Sequence, residues 1–127
     1  MGPATNPNIA PWLTVRDAQK AVAYYQAAFG ALELYRLPAD DGSLAVVQLS
    51  VGGALFWVQA DSNASPSGAG TGAVRMILSV DDPDAVFERA VAAGAAVVAA
   101  IHEDYGWRTG RVTDPFGFDW EVSKQLS

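Results

Sequence analysis

The chain has 127 residues, half of them apolar, with eight basic residues against fourteen acidic ones, a net charge of -6 and no cysteine. That length and apolar content predict one folded domain rather than a disordered chain. Disulfides, cysteine nucleophiles and thiolate metal sites are excluded, and an acidic chain without a Lys/Arg cluster is a poor partner for nucleic acid, because phosphate neutralisation needs cationic patches.

No apolar run approaches the roughly 18 residues of a membrane span. Residues 1–8 hold neither a basic cluster nor an apolar signal core, so a cytoplasmic location is the expectation. The acidic balance suits a neutral or cationic small molecule, or serves only solubility.

Residues 1–8 read as a Gly/Pro/Asn leader and Ile9–Val15 as a strand. Asp17 is a candidate N-cap, the apolar positions 18, 21, 22, 25, 28 and 29 trace one helical face, and Gly30 ends that helix. Strands follow at Ala31–Leu37, Leu44–Val51 and Ala54–Gln59, with turns at Asp40-Asp41-Gly42 and Gly52-Gly53. The Ser/Ala/Gly/Asn/Pro stretch 61–72 reads as a linker. Beyond it come a strand at Val74–Val80, a helix capped by Asp82 with Pro83 in its first position and Gly94 as its stop, and a strand at Ala95–Ile101. A loop is expected to Thr109, then strand, tight turn and strand through Arg111–Val122. Asp114-Pro115 opens that turn, and Gly117 supplies a positive φ.

The second half repeats the first. Leu13-Thr14-Val15-Arg16-Asp17 matches Leu78-Ser79-Val80-Asp81-Asp82, Phe29-Gly30-Ala31 matches Ala93-Gly94-Ala95, and Gly53 matches Gly117. The predicted class is α+β: one domain of two tandem βαβββ modules, 9–60 and 73–124, forming curled mixed sheets around a concave cavity. Strand alternation puts Trp120 and Val122 on the helix-covered face and Glu121 on the open one. Counting from the repeated glycines and leucines pairs Trp57 with Glu121 and Ala10 with Arg75 on the inner faces. Trp12, Leu55, Gln59 and Ile77 join them by period two. Concave apolar faces are where small ligands bind.

Leu13-Thr14-Val15-Arg16-Asp17, the helix stretch Tyr24-Tyr25-Gln26-Ala27-Ala28-Phe29-Gly30-Ala31 and Asp114-Pro115-Phe116-Gly117-Phe118-Asp119-Trp120-Glu121 together resemble the glyoxalase/bleomycin resistance protein/extradiol dioxygenase superfamily, also called vicinal oxygen chelate proteins. The resemblance runs from Ile9 to Val122. It specifies fold more than function, because the superfamily spans lyases, isomerases, epimerases, dioxygenases, thiol transferases and drug-binding proteins. Metal-dependent members take ligands, usually two His and two Glu, from four inner-face positions. Those positions here read Ala10, Trp57, Arg75 and Glu121, and only Glu121 matches. One carboxylate beside a guanidinium does not hold a divalent ion, so no metal and no cofactor are expected.

Glu121 is the candidate catalytic residue, as a general base. Its competing role, the favoured one, is an ion pair with Arg75. Trp12 and Trp57 offer flat surfaces for stacking or cation binding, or else serve as plain core. His102, the single histidine, reads as a solvated loop residue beside Glu103 and Asp104. Tyr105-Gly106-Trp107-Arg108 resembles an aromatic–Gly–polar–Arg stretch of many relatives. Arg108 there ties the loop to backbone carbonyls, and Trp107 departs from the polar residue common in that branch. No phosphate loop and no serine elbow are present.

The expected ligand-binding set is Trp12, Trp57, Arg75, Tyr105, Trp107, Arg108 and Glu121. The expected function is metal-independent sequestration of an aromatic, drug-like, neutral or cationic compound by a homodimer, in the manner of antibiotic-resistance binding proteins. The alternatives are a glyoxalase-like lyase or isomerase using Glu121 as base, with Arg75 steadying an enolate-type oxyanion, and a structural dimer whose groove is filled.

Overall fold

A computed structural model describes residues 7–64 and 74–126. Its elements run β1 (Trp12–Val15), α1 (Ala18–Phe29), β2 (Leu32–Pro38), β3 (Leu44–Val51), β4 (Ala54–Ala60), β5 (Arg75–Ser79), α2 (Pro83–Ala92), β6 (Ala96–Asp104), β7 (Trp107–Thr113) and β8 (Asp119–Gln125). Each half is βαβββ, and each builds its own four-stranded mixed sheet, in the orders β1-β4-β3-β2 and β5-β8-β7-β6. Most of the expected linker at 61–72, and of the leader at 1–8, lies outside the described residues.

Local chemistry sets the helix ends. The Asp17 carboxylate accepts the Lys20 amide at 3.1 Å, and Asp82 accepts that of Ala85 at 3.2 Å, each satisfying an orphan donor of the first turn. Gly30, at φ 67°, closes α1 in the left-handed conformation that an L side chain resists. Buried Ala18, Ala21, Val22, Tyr25 and Ala28 face the core. The helices meet directly, with the Tyr24 hydroxyl donating to the Ala90 carbonyl at 3.2 Å.

In each sheet the first strand of the module lies parallel to the last. Trp12 stands beside Trp57, and Ile77 beside Glu121. These are the repeat-related positions, so the internal duplication carries through to strand register. Val112, Trp120 and Val122 are buried on the helix side of the second sheet, while Glu121 lies on the other side.

One expectation is corrected. The stretch from His102 to Thr109 is not a loop. Strand β6 continues to Asp104, Tyr105-Gly106 forms a two-residue turn, and Trp107 already lies in β7. Both turn residues have positive φ, 50° and 83°, the type I′ geometry that matches strand twist. Tyr-Gly is not the usual Asn-Gly or Asp-Gly signal, and a tyrosine seldom adopts positive φ, so the hairpin was hidden. His102 is therefore a strand residue paired with Thr109.

Gly110 sits where β7 passes under α2. A Cβ there would lie 2.9 Å from both Ile101 Cδ1 and Phe87 Cδ2. Gly110→Ala is expected to lower stability by about 1–3 kcal/mol through overpacking, read as a lower denaturation midpoint with an unchanged m-value.

Candidate functional site

The face of each sheet turned away from the helices is open, and the two faces differ in chemistry. On the first sheet Trp12 and Trp57 stack with ring centroids 6.0 Å apart, and Tyr35 meets Trp57 edge-on at 6.1 Å. The Gln59 carbonyl oxygen accepts the Trp12 indole N–H at 3.0 Å. This bond fixes the ring plane and leaves the side chain amphipathic. Trp12 remains 53% exposed. A packed core would not leave a tryptophan so placed, and the exposed ring is a stacking surface.

The open face of the second sheet is polar. Arg75 Nε lies 3.2 Å from Glu121 Oε1, with side-chain exposures of 44% and 18%. Next to it the Thr113 hydroxyl donates to Asp119 at 2.8 Å. Glu121 is thus half-buried and engaged by a cation rather than free in the groove. Because the pair is partly solvated, Glu121→Gln is expected to change stability by no more than about 1 kcal/mol. Chemical denaturation checks this, and a loss above about 3 kcal/mol would mark a truly buried pair.

Between the exposed edges of β1 and β5 runs a cleft of about 580 Å³, lined by Ala10, Trp12, Leu55, Arg75, Ile77 and Trp120 among others. It brings Trp12 and Arg75 onto one wall system. Trp57 and Glu121 stand on the neighbouring strands, β4 and β8.

The other expected residues lie elsewhere. Tyr105 is 95% exposed at the β6–β7 tip. Trp107, by alternation with Thr109 and Arg111, shares the open face of the second sheet, at its far end. Arg108 points to the helix side. Its guanidinium grips Asp84 at 2.6 and 2.7 Å and Glu103 at 3.1 Å. It braces the hairpin to the start of α2 through carboxylates rather than the backbone carbonyls expected. The same hydrogen bonds hold the Asp84 carboxyl below the usual carboxylate range. His102 is exposed, with Nδ1 2.9 Å from the Ala100 carbonyl oxygen.

Residues 7–122 match the family model of the Glyoxalase/Bleomycin resistance protein/Dioxygenase superfamily. The chain belongs to this superfamily. An uncharacterized protein of Mycobacterium tuberculosis, Rv0887c, is 37% identical over 128 residues, covering 94% of this chain and 75% of that one. Among solved structures, TioX from Micromonospora sp. ML1 superposes with a TM-score of 0.75 at 28% identity, covering 95% of this chain and all of that one. The fosfomycin resistance protein FosX from Listeria monocytogenes shares the fold, with a TM-score of 0.74 at 17% identity, covering 97% and 96% of the two chains.

The inner-face positions hold an alanine, a tryptophan, an arginine and a single glutamate. Among the described residues no three His, Cys, Asp or Glu side chains gather as a metal site. The residues present do not fit a divalent ion, which needs several N/O donors.

Sequence reasoning missed a second set of residues on the open face of the second sheet: Thr109, Arg111 and Ser123, aligned by the β7–β8 register. The signal available is alternation along β7, which a loop running to Thr109 would conceal.

Proposed function

We propose that this superfamily member binds a planar aromatic small molecule and sequesters it without metal chemistry. The observation that carries the reading is the Trp12–Trp57 stack on an open sheet face, oriented by Gln59 and left exposed beside a cleft. A flat aromatic ligand would replace water on these rings, gaining burial and stacking together. Arg75 and Glu121, which satisfy each other, offer remaining donor and acceptor sites to orient its polar groups.

A second copy of the chain is the partner that suits the exposed apolar surface. The edge strand β2 carries Leu32, Leu34, Tyr35 and Leu37, all exposed. Trp12, Leu55 and Ile77 are exposed on the open faces. A homodimer that covers part of this surface also encloses the groove.

Calorimetric titration of the purified protein with planar aromatic compounds, beside elemental analysis of protein prepared without chelators, tests the reading. Saturable binding with no stoichiometric metal is the expected result. Stoichiometric zinc, nickel, manganese or iron, with no aromatic compound bound, would overturn it. Sedimentation should give twice the mass of the chain.

A further inference from the structure

Among the described residues, three polar atoms of the second sheet are buried without a hydrogen-bond partner: Thr109 Oγ1, Arg111 Nε and Ser123 Oγ. They are neighbours. Thr109 stands opposite Ser123 across the β7–β8 ladder, and Arg111, on the same face, stands opposite Glu121. Ser123 is fully buried. The helix side offers none of them a partner, because Gly110 between Thr109 and Arg111 is closed over by Phe87 and Ile101.

Their polar neighbours are already committed. Glu121 is engaged by Arg75, and Asp119 by Thr113. Arg111 makes no ion pair among the described residues. Folded proteins satisfy nearly all buried polar atoms, and a cluster of unmet ones costs stability. Retaining three together is intelligible if something else satisfies them. A guanidinium only donates, and both hydroxyls can donate. The group that meets all three is an acceptor with several lone pairs, and beside an uncommitted arginine it is an anion.

We propose that Arg111, Thr109 and Ser123 form an oxyanion subsite on the open face of β7 and β8, which takes the carboxylate of an aromatic acid. Thr109 and Arg111 are half-buried but their unmet atoms are closed to solvent, so the carboxylate reaches them by displacing the side chains above them, with Ser123 as its inner hydroxyl. The idea rests on the aromatic-binding reading for the class of ligand alone, because strand β5 and the cleft separate this cluster from the Trp12–Trp57 stack.

The test compares 1-naphthoate with neutral 1-naphthalenemethanol by calorimetry, using wild type, Arg111→Met and Ser123→Ala, with melting temperatures measured alongside. Wild type should prefer naphthoate by about tenfold or more, the scale of a charge-assisted hydrogen-bonded contact. Arg111→Met should erase that preference and leave the alcohol's affinity within about twofold. Ser123→Ala should weaken naphthoate severalfold yet raise the melting temperature, since it deletes an unmet polar atom. A merely structural hydroxyl would lower it. If the alcohol binds and naphthoate gains nothing from Arg111, the subsite falls and the aromatic reading stands. If naphthoate binds through Arg111 while the alcohol does not bind, the aromatic reading falls and the subsite stands. Binding of neither probe overturns both.

Discussion

Replacement of Asp114 by alanine is expected to destabilise the fold by about 3–5 kcal/mol, a large share of the typical stability of a small domain. Asp114 is buried in the turn between β7 and β8, and its carboxylate is fully used. Oδ1 accepts the amides of Phe116 at 2.9 Å and Phe118 at 3.0 Å. Oδ2 accepts the Tyr25 hydroxyl at 2.5 Å and the Trp120 indole N–H at 2.9 Å. Tyr25 belongs to α1 of the first module, so this single side chain ties the two modules together. Alanine would strand all four donors in a site from which water is excluded, and each stranded donor costs about 1–3 kcal/mol before relaxation. Tyr25→Phe, which removes one donor and leaves the acceptor satisfied by three others, should cost about 1 kcal/mol. Urea denaturation of the two variants separates these outcomes. Equal small losses would show that the network contributes little.

The same site has a pH signature. Burial pushes the Asp114 carboxyl up, with its hydrogen bonds opposing that shift. A carboxyl whose pKa is higher folded than unfolded binds its proton more tightly in the native state. The proton-linked part of its contribution is therefore fully present below the unfolded value of 3.8 and is lost as pH rises through the folded value, while the four hydrogen bonds to the carboxylate remain. Asp114 thus does not drive acid unfolding.

Trp57→Ala is expected to weaken binding of a planar aromatic ligand by about 2–3 kcal/mol, roughly 30- to 150-fold. Trp57 stacks on Trp12 and touches Tyr35 edge-on. Its loss removes stacking area and also frees the Trp12 ring from its only stacked neighbour among the described aromatic pairs. Trp12→Ala should cost a similar amount. Neither change should alter stability as Asp114→Ala does, since both rings lie on the open face. Calorimetric titration of both variants checks this. Unchanged affinity in both would place the ligand elsewhere.

Most of the architecture was legible because the chain states it twice. Asp17 and Asp82 cap helices in equivalent places, Gly30 and Gly94 end them, and Gly53 and Gly117 turn the last hairpins. Period-two alternation also gave the face of Trp120, and counting across the repeat brought Arg75 and Glu121 to one face. The β6–β7 hairpin was not legible, because Tyr105 occupies a left-handed position that no sequence rule assigns to tyrosine. That hairpin decides where Arg108 goes. Once Trp107 is in a strand, alternation sends Arg108 to Asp84 and leaves Arg111 on the open face. Pairing of Arg108 with acids that lie 24 and 5 residues away is a tertiary fact.

The open face carrying Trp12 and Trp57 is the proposed binding surface for a small aromatic molecule. The four tryptophans, Trp12, Trp57, Trp107 and Trp120, give separate indole N–H resonances, each assignable by single substitution. Titration with neutral 1-naphthalenemethanol, followed by ¹⁵N-edited NMR, tests the claim residue by residue. The resonances of Trp12 and Trp57 should move together and saturate, while that of Trp120, bound to Asp114 in the core, stays in place. Shifts confined to Trp107 or Trp120, or no shift in any of the four, would contradict it.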